Sequence, residues 1–395
     1  MTQKGRGFLA LLGAAHSLNH SLFLITPPLL LIIMQDLNTS KFILGTVGTI
    51  TSLIYGVGAL VGGPLADKIS ETKIIALALA LAGASTFVLI FAIDIVIYSL
   101  AMFLMAAWAS LYHPVANSLI SKKFQGNMGE AMGIHGVGGT VGVMFTPIIA
   151  FAIGVAVDWR ISFIVFGIFC ILIGVIMSRN RTQTTRNASK LGILQVFKTR
   201  GLLIILTFNI FIGLYMKGIE LFLPTYLTLR PFQPLGEETA KFWAATAATL
   251  VLASGVFGQW LGGKASDHVG SKRVLVTVSA GIVAALLFLL FIPTAFAFLG
   301  VAAFIILYGL SFYGHQPALN SLTGIITPPE RRGAIYGVFF FTSFGLGSLS
   351  QIITGHLMDS YPSNPEYSFY FLTLIAAVAL ILSTLIPDKR QNQTT

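Results

Sequence analysis

The sequence predicts an all-α membrane protein: twelve transmembrane helices forming two six-helix bundles related by a pseudo-twofold axis. Three observations predict it. The 395 residues are 55% hydrophobic and only 10% charged, against about 25% charged in a soluble domain. So few charges cannot cover a water-exposed surface, and lipid must be the solvent for most of the chain. The basic residues fall almost wholly on alternate loops between the apolar runs. The second half of the chain also echoes the first.

A spanning helix needs about 20 mainly apolar residues. Such runs cover residues 7–33, 41–66, 73–93, 95–119, 130–155 and 160–178, then 201–229, 241–264, 273–292, 295–320, 333–358 and 368–387. Barrel strands would be about 10 residues long and would alternate polar with apolar, which these runs do not. The first run is too long for a cleavable signal peptide and carries His16, Asn19 and His20.

Lys and Arg set the orientation. With the amino terminus inside, the inner segments hold Lys4, Arg6, Lys68, Lys73, Lys122, Lys123, Lys264, Lys272, Arg273, Arg331, Arg332, Lys389 and Arg390. They also hold Arg179, Arg181, Arg186, Lys190, Lys198 and Arg200, all in one acid-free polar stretch. The outer loops hold only Lys41, Arg160, Arg230 and Lys241, while Lys217 lies within a span. This bias places both termini in the cytoplasm. Residues 1–178 then form one half, 179–200 a basic cytoplasmic linker, and 201–395 the other half. The linker's charges suit an anionic lipid surface. The net charge of +10 does not imply nucleic acid, because the basic residues sit in short loops rather than on one folded face.

The repeat is explicit. Pro114-Val115-Ala116-Asn117-Ser118-Leu119 returns about 200 residues later as Pro317-Ala318-Leu319-Asn320-Ser321-Leu322. Gly62-Gly63 with Asp67 returns as Gly262-Gly263 with Asp267, and Gly129 with Gly133 returns as Gly333 with Gly337. Six spans per half is an even number, so both halves point the same way, as in a parallel repeat about the membrane normal. Gly-xxx-Gly pairs fall in every third span: Gly58/Gly62, Gly138/Gly142, Gly258/Gly262 and Gly333/Gly337. Small residues four apart let another helix approach closely, and their recurrence implies groups of three helices.

Gly262-Gly263-Lys264-Ala265-Ser266-Asp267-His268-Val269-Gly270-Ser271-Lys272-Arg273 resembles the loop motif of the major facilitator superfamily. Gly63-Pro64-Leu65-Ala66-Asp67 resembles the same motif, with Ser70 in place of its second glycine. The resemblance implies that Asp67 and Asp267, with Lys272 and Arg273, act as a conformational latch whose charge pairs form in one state and break in another. Within the superfamily, Leu111-Tyr112-His113-Pro114 and the run Gly133 to Gly142 look like the fosmidomycin-resistance type. That run also loosely resembles the fifth-helix motif of drug:proton antiporters, although the usual Gly-Pro pair is absent and Pro147 comes later.

Polar side chains inside a bilayer are costly and usually functional. Here they concentrate on four spans: His16, Asn19 and His20 on the first; Tyr112, His113 and Asn117 on the fourth; Asn209, Lys217 and Glu220 on the seventh; Tyr313, His315, Gln316 and Asn320 on the tenth. The resemblance implies that these first helices of each three-helix group line the central cavity. Spacing supports a shared face: His16, Asn19 and His20 stand at three and four residues, His113 with Asn117 and Gln316 with Asn320 at four, and Asn209 with Glu220 at eleven, about three turns. Glu220 is the one acid expected inside a span, one turn from Lys217. Two readings stand: a static neutral pair, or a carboxylate that exchanges a proton or holds a cationic substrate as the cavity alternates. The histidines are the second proton candidates, since imidazole titrates near neutrality. They are not expected to bind metal, because no acid shares their faces. No arginine lies in any span, which weakens phosphate-ester or dicarboxylate substrates. Tyr55, Tyr112, Tyr215 and Tyr313 suit an amphipathic organic molecule.

The expectation is therefore a monomeric secondary transporter in the cell (inner) membrane, with no cofactor and no metal, exporting a small amphipathic solute in exchange for H+. Proton-driven uptake of a small organic solute such as a monocarboxylate or sugar is the alternative, and sodium is the alternative ion. The sole cysteine, Cys170, permits no internal disulfide. No Ser-His-Asp set, cysteine pair or phosphate loop suggests an enzyme. A channel would differ in showing neither saturation nor counterflow.

Overall fold

The computed structural model describes residues 3–66, 69–124, 128–180, 200–326 and 332–387. Every regular element among them is helical, and twelve stretches are long and apolar enough to cross a membrane. The chain is a multi-pass membrane protein. Helices are the expected solution, because lipid offers no partner for unsatisfied backbone groups.

Three spans of the first half are broken near their middles. Span 1 is α1 (Gln3–Leu24) and α2 (Thr26–Asp36), interrupted at Ile25 just before Pro27 and Pro28. Proline lacks an N–H and its ring collides with the carbonyl one turn back, so the helix must break or bend there. Span 2 is α3 (Lys41–Ala66), and span 3 is α4 (Glu71–Ser85) with a 3-10 turn, Thr86–Phe91. Span 4 is α5 (Ile95–Ala109) and α6 (Tyr112–Lys123), with Pro114 in the first turn after the break. Span 5 is α7 (Met128–Met144) and α8 (Thr146–Ala156), broken before Pro147. Span 6 is α9 (Trp159–Ser178). Asp94 and Asp158 cap α5 and α9 by accepting from the first free backbone N–H groups.

In the second half α10 (Arg200–Leu229), α11 (Glu237–Val269), α12 (Ser271–Phe291) and α13 (Ala297–Ile326) each cross as one helix. Span 11 is α14 (Arg332–Phe340), a π turn at Phe341–Gly345 and α15 (Leu349–Ser360); span 12 is α16 (Glu366–Leu385). Several helices run a turn or so beyond the apolar runs, and one such difference moves a charge. The eighth span starts at Glu237 rather than 241, because Gly236 turns the chain with φ 82° and two glutamates occupy the first helical turn. Lys241 is therefore not a loop residue. It is buried in the second turn, 2.7 Å from Glu237 and 3.1 Å from Glu238.

The glycine pairs are contact surfaces between helices. A methyl group on Gly58 or Gly62 of α3 would overlap Ser110 or Pro114 of span 4. The equivalent Gly258 and Gly262 of α11 meet the backbones of Leu310 and Gly314 in α13. Gly138 and Gly142 press α7 onto Gly13 and Ser17 of α1. Gly337 instead faces Leu60 of α3, and Gly347, in the same span, faces Gly213 of α10. Spans 2 and 4 thus pack as 8 and 10 do, and 5 and 1 as 11 and 7 do, which is the pseudo-twofold relation in side-chain terms.

The loop motif divides between its two copies. Gly270 joins α11 to α12 with φ 92°, a conformation that requires glycine. Its counterpart Ser70 has φ −53°, where any residue fits, so the missing glycine costs that copy nothing. Lys272 and Arg273 lie in the first turn of α12. Asp67 and residues 181–199 of the linker lie outside the described residues, as does the side chain of Asp267.

The two halves meet firmly at the face opposite the termini. Asp359 of α15 receives hydrogen bonds from the backbone N–H of Lys41 (3.3 Å) and Phe42 (2.6 Å), and from Lys41 Nζ (3.3 Å). An aspartate of one half therefore caps a helix of the other. Gln35 reaches Glu237 at 3.4 Å. Deeper in, Thr49 and Ser348 each donate a hydroxyl to the other's backbone carbonyl, at 2.7 and 3.2 Å. Gly45 and Gly56 admit the backbones of Gln351 and Gly345.

Candidate functional site: a cavity between the halves

A cavity of about 760 Å³ lies between the two halves. Its walls come from spans 1, 4, 5, 7, 8, 10 and 11. It runs from Leu24, Pro27 and Pro147 to Gly263, Pro317 and Asn320 nearer the terminal face. The helix breaks at Ile25, Leu111 and Phe145 occur in spans that form its first-half wall. Of the expected site residues, His16, His20, His113, Asn117, Asn209, Glu220, Tyr313, His315, Gln316 and Asn320 all line it. All four polar spans therefore converge on one space.

Three expected residues stand behind the wall. Asn19 is fully buried; its amide donates to Ala109 O at 2.9 Å and its carbonyl accepts from Tyr55 at 3.0 Å. It ties span 1 to spans 2 and 4. Tyr112 is also fully buried and donates to Leu12 O at 2.7 Å. Lys217 is buried with its ammonium 4.5 Å above the Phe344 ring, and only its partner Glu220 faces the cavity. Tyr55 and Tyr215 likewise do not line the cavity, and the aromatic lining is Tyr308, Phe312, Tyr313, Phe339, Phe340, Phe344 and Trp260.

Lys217 Nζ donates to both oxygens of Glu220, at 3.2 and 3.0 Å. The lysine side chain is 6% exposed and the glutamate 27%. The pair is thus a buried cation covered on one side by the only carboxylate among the cavity-lining residues described. Its surroundings connect it to the closed face: Gln351 donates to Lys217 O at 3.3 Å, and the same side chain packs on Gly48 of α3. Asn209, about three turns from Glu220 along the same helix, donates to Phe339 O and Thr342 Oγ1 at 2.8 and 2.9 Å, holding span 7 to span 11. His315 is held by the carbonyl of Phe312.

Opposite this pair, the first-half wall is a knot of imidazoles. The rings of His16, His20 and His113 form a triangle with centroids 4.8–4.9 Å apart. His113 Nε2 lies 3.0 Å from His20 Nε2, and His16 Nδ1 lies 3.1 Å from His135 O. His135 stacks on His16 at 4.4 Å. Its Nε2 is 3.0 Å from the Tyr112 oxygen. Because Tyr112 commits its one proton to Leu12, His135 must be the donor there.

The sequence model described as the Major Facilitator Superfamily matches residues 9–352. The chain belongs to the Major Facilitator Superfamily. No curated protein matches its sequence, but solved structures match its fold. A point mutant of the nucleoside transporter NupG superposes with a TM-score of 0.81 at 12% identity, covering 97% of this chain and 100% of that one. A bacterial homolog of the human lysosomal transporter Spinster matches in an inward-facing, occupied conformation with a TM-score of 0.75 at 16% identity, over 98% and 97% of the two chains. The same homolog, inward-facing and unoccupied, gives 0.72 at 15% identity over 98% and 96%. At these identities the likeness is one of fold. The twelve-helix architecture expected from sequence is the one found, and the chain is a Major Facilitator Superfamily transporter.

Three residues of this superfamily member's cavity were not among those singled out from sequence. His135 was read as part of a glycine-rich run; a lone polar ring among glycines was its available signal. Thr140 Oγ1 and Gln259 Oε1 meet at 3.1 Å, and Gln259 Nε2 donates to Gln316 Oε1 at 3.1 Å, which bridges the halves inside the cavity. Gln259 is the only amide or charged side chain between Lys241 and Lys264 of span 8, and that isolation was its signal.

Proposed function

We propose that this chain is a proton-coupled exporter of a small amphipathic organic solute, working by alternating access in the cell (inner) membrane with both termini in the cytoplasm. The observation that carries the reading is the Lys217–Glu220 pair at the wall of a cavity between two halves. A cavity of this size suits a drug-sized ligand. Its aromatic walls offer apolar area, while Asn117, Gln259, Gln316 and Asn320 offer hydrogen bonds.

A proton taken up by Glu220 from the outer side, in the outward-open conformation, neutralises the carboxylate and leaves the Lys217 ammonium buried without its counter-charge. Removing one partner of a buried pair costs about 3–5 kcal/mol, enough to drive a rearrangement of halves. The Lys217 carbonyl is held by Gln351, whose side chain sits in the contact with α3 at the closed face. Lys217 and that contact therefore move together. The protonated carrier returns to the conformation described here, releases its proton to the cytoplasm and re-forms the ion pair, and solute leaves on the outward step, so H+ enters as solute exits. In this reading the closed face is extracellular, and the conformation is the one that loads solute from the cytoplasm. The charges of the basic linker suit the anionic inner leaflet. The likeness in sequence to fosmidomycin-resistance and drug:proton antiporter members favours export over uptake.

Purified protein in liposomes tests this. Candidate solutes selected by thermal shift are expected to move against their own gradient when an opposing pH gradient is imposed, with saturation and with counterflow. Flux that is unaffected by collapsing the pH gradient would remove proton coupling. Flux without saturation would indicate a channel.

A further inference from the structure

We propose that His16, His20 and His113 form a binding site for a divalent transition-metal cation of the zinc, copper and nickel class, open to the central cavity. Within each helix the histidines have no acidic companion, which argued from sequence against a metal. The fold changes the count, because the ligands converge from two spans rather than one. One ring nitrogen from each of the three lies within 4.8 Å of the others.

The dimensions agree with ligation. Metal–imidazole bonds of about 2.1 Å at tetrahedral angles put neighbouring nitrogens about 3.4 Å apart and ring centroids about 5 Å apart. The His20 and His113 Nε2 atoms are 3.0 Å apart, and the three centroids are 4.8–4.9 Å apart. The His20–His113 pair is within a few tenths of an ångström of the ligated separation, and the His16 nitrogen, within 4.8 Å of both, closes the site by a move of about 1 Å.

The proton of His16 is placed for it as well, and the one between His20 Nε2 and His113 Nε2 is the one a metal would displace. His16 Nδ1 faces the backbone carbonyl of His135, so that nitrogen carries the proton and Nε2 keeps its lone pair. A metal-bound imidazole usually donates its other N–H in this way, which fixes the ring and raises its basicity. Imidazole nitrogen suits zinc, copper and nickel, whereas calcium and magnesium want oxygen. All three rings line the cavity, leaving a fourth coordination position toward it for water or a donor atom of a solute. Lys217 is within electrostatic reach of His20, but Glu220 neutralises it at 3.0 Å. The site is distinct from proton coupling at Glu220, which supplies no ligand to it.

The test uses the full chain, purified through a tag without histidine. Titration with Zn2+ is expected to show one saturable site. Binding should weaken at least tenfold in His113→Gln and in His20→Gln, and remain unchanged in His356→Gln, at the far end of α15. Equal binding in all four proteins, or no saturable binding, would overturn the proposal. X-ray absorption on the unsubstituted zinc-loaded protein needs no variant to fold: a shell with three imidazole nitrogens supports the site, and two or fewer overturns it.

Discussion

Glu220→Gln is expected to reduce uphill, proton-driven accumulation in liposomes to the level of protein-free vesicles, while solute binding and counterflow persist. Glutamine keeps the size and one acceptor oxygen of Glu220 but cannot exchange a proton. The halves can still exchange positions with solute bound, so the loss falls on coupling rather than on movement. A companion measurement separates this from simple damage. Lys217 is buried and Glu220 is its only ion-pair partner among the described residues. Glu220→Ala should therefore lower stability by about 3 kcal/mol, since it leaves a charge buried alone. Lys217→Met combined with Glu220→Gln removes both charges and should recover most of that loss in thermal unfolding. Proton-driven accumulation that survives in Glu220→Gln would assign coupling elsewhere, and the pair would then be structural.

Gly45→Leu is expected to have the next largest effect, on which face is closed. Gly45 lies in the first turns of α3, and any side chain there meets the backbone of Gln351 across the interface between halves. Overpacking of this kind costs about 1–3 kcal/mol. The cost applies only where the two backbones touch, in the conformation closed at that face. A penalty near ~2 kcal/mol shifts the balance toward the opposite conformation by roughly thirtyfold. The check is a cysteine at Leu24, a cavity-lining position near the closed face, in a Cys170→Ser background. A membrane-impermeant maleimide added outside should label it at least tenfold faster when Gly45→Leu is present. Equal labelling would mean that Gly45 does not control the seal.

Much of the fold was legible because only long apolar helices pass stably from water into lipid: twelve apolar runs leave few alternatives, and a sequence repeat points to the relation between halves. The four polar spans were legible for the same reason, since His16, Glu220 or Gln316 would not be tolerated facing acyl chains. The division of labour among those side chains was not. Asn19 and His16 share a helix face by spacing, yet Asn19 bonds to Ala109 and Tyr55 while His16 reaches the cavity. In a membrane a polar side chain serves equally well as a hydrogen bond between helices or as a ligand contact. Only the crossing of α1 with spans 2 and 4 decides which. The convergence of His16, His20 and His113 was hidden likewise, because spacing along one helix says nothing about the approach of another. Lys241 was misplaced because a span's hydropathic edge is not its helical start: α11 begins one turn earlier, on two glutamates that the lysine then bridges.

The central claim is that one cavity is exposed in turn to either side by movement of two rigid halves. Spin-label distances across both faces test it most directly. One label pair would sit at Thr39 and Ser363, beside the Lys41–Asp359 contact, and the other at Asn180 and Val269 near the terminal face. Compared with the unsubstituted protein, Gly45→Leu should lengthen the first distance and shorten the second together. Lengthening at the first pair with no change at the second would contradict the account.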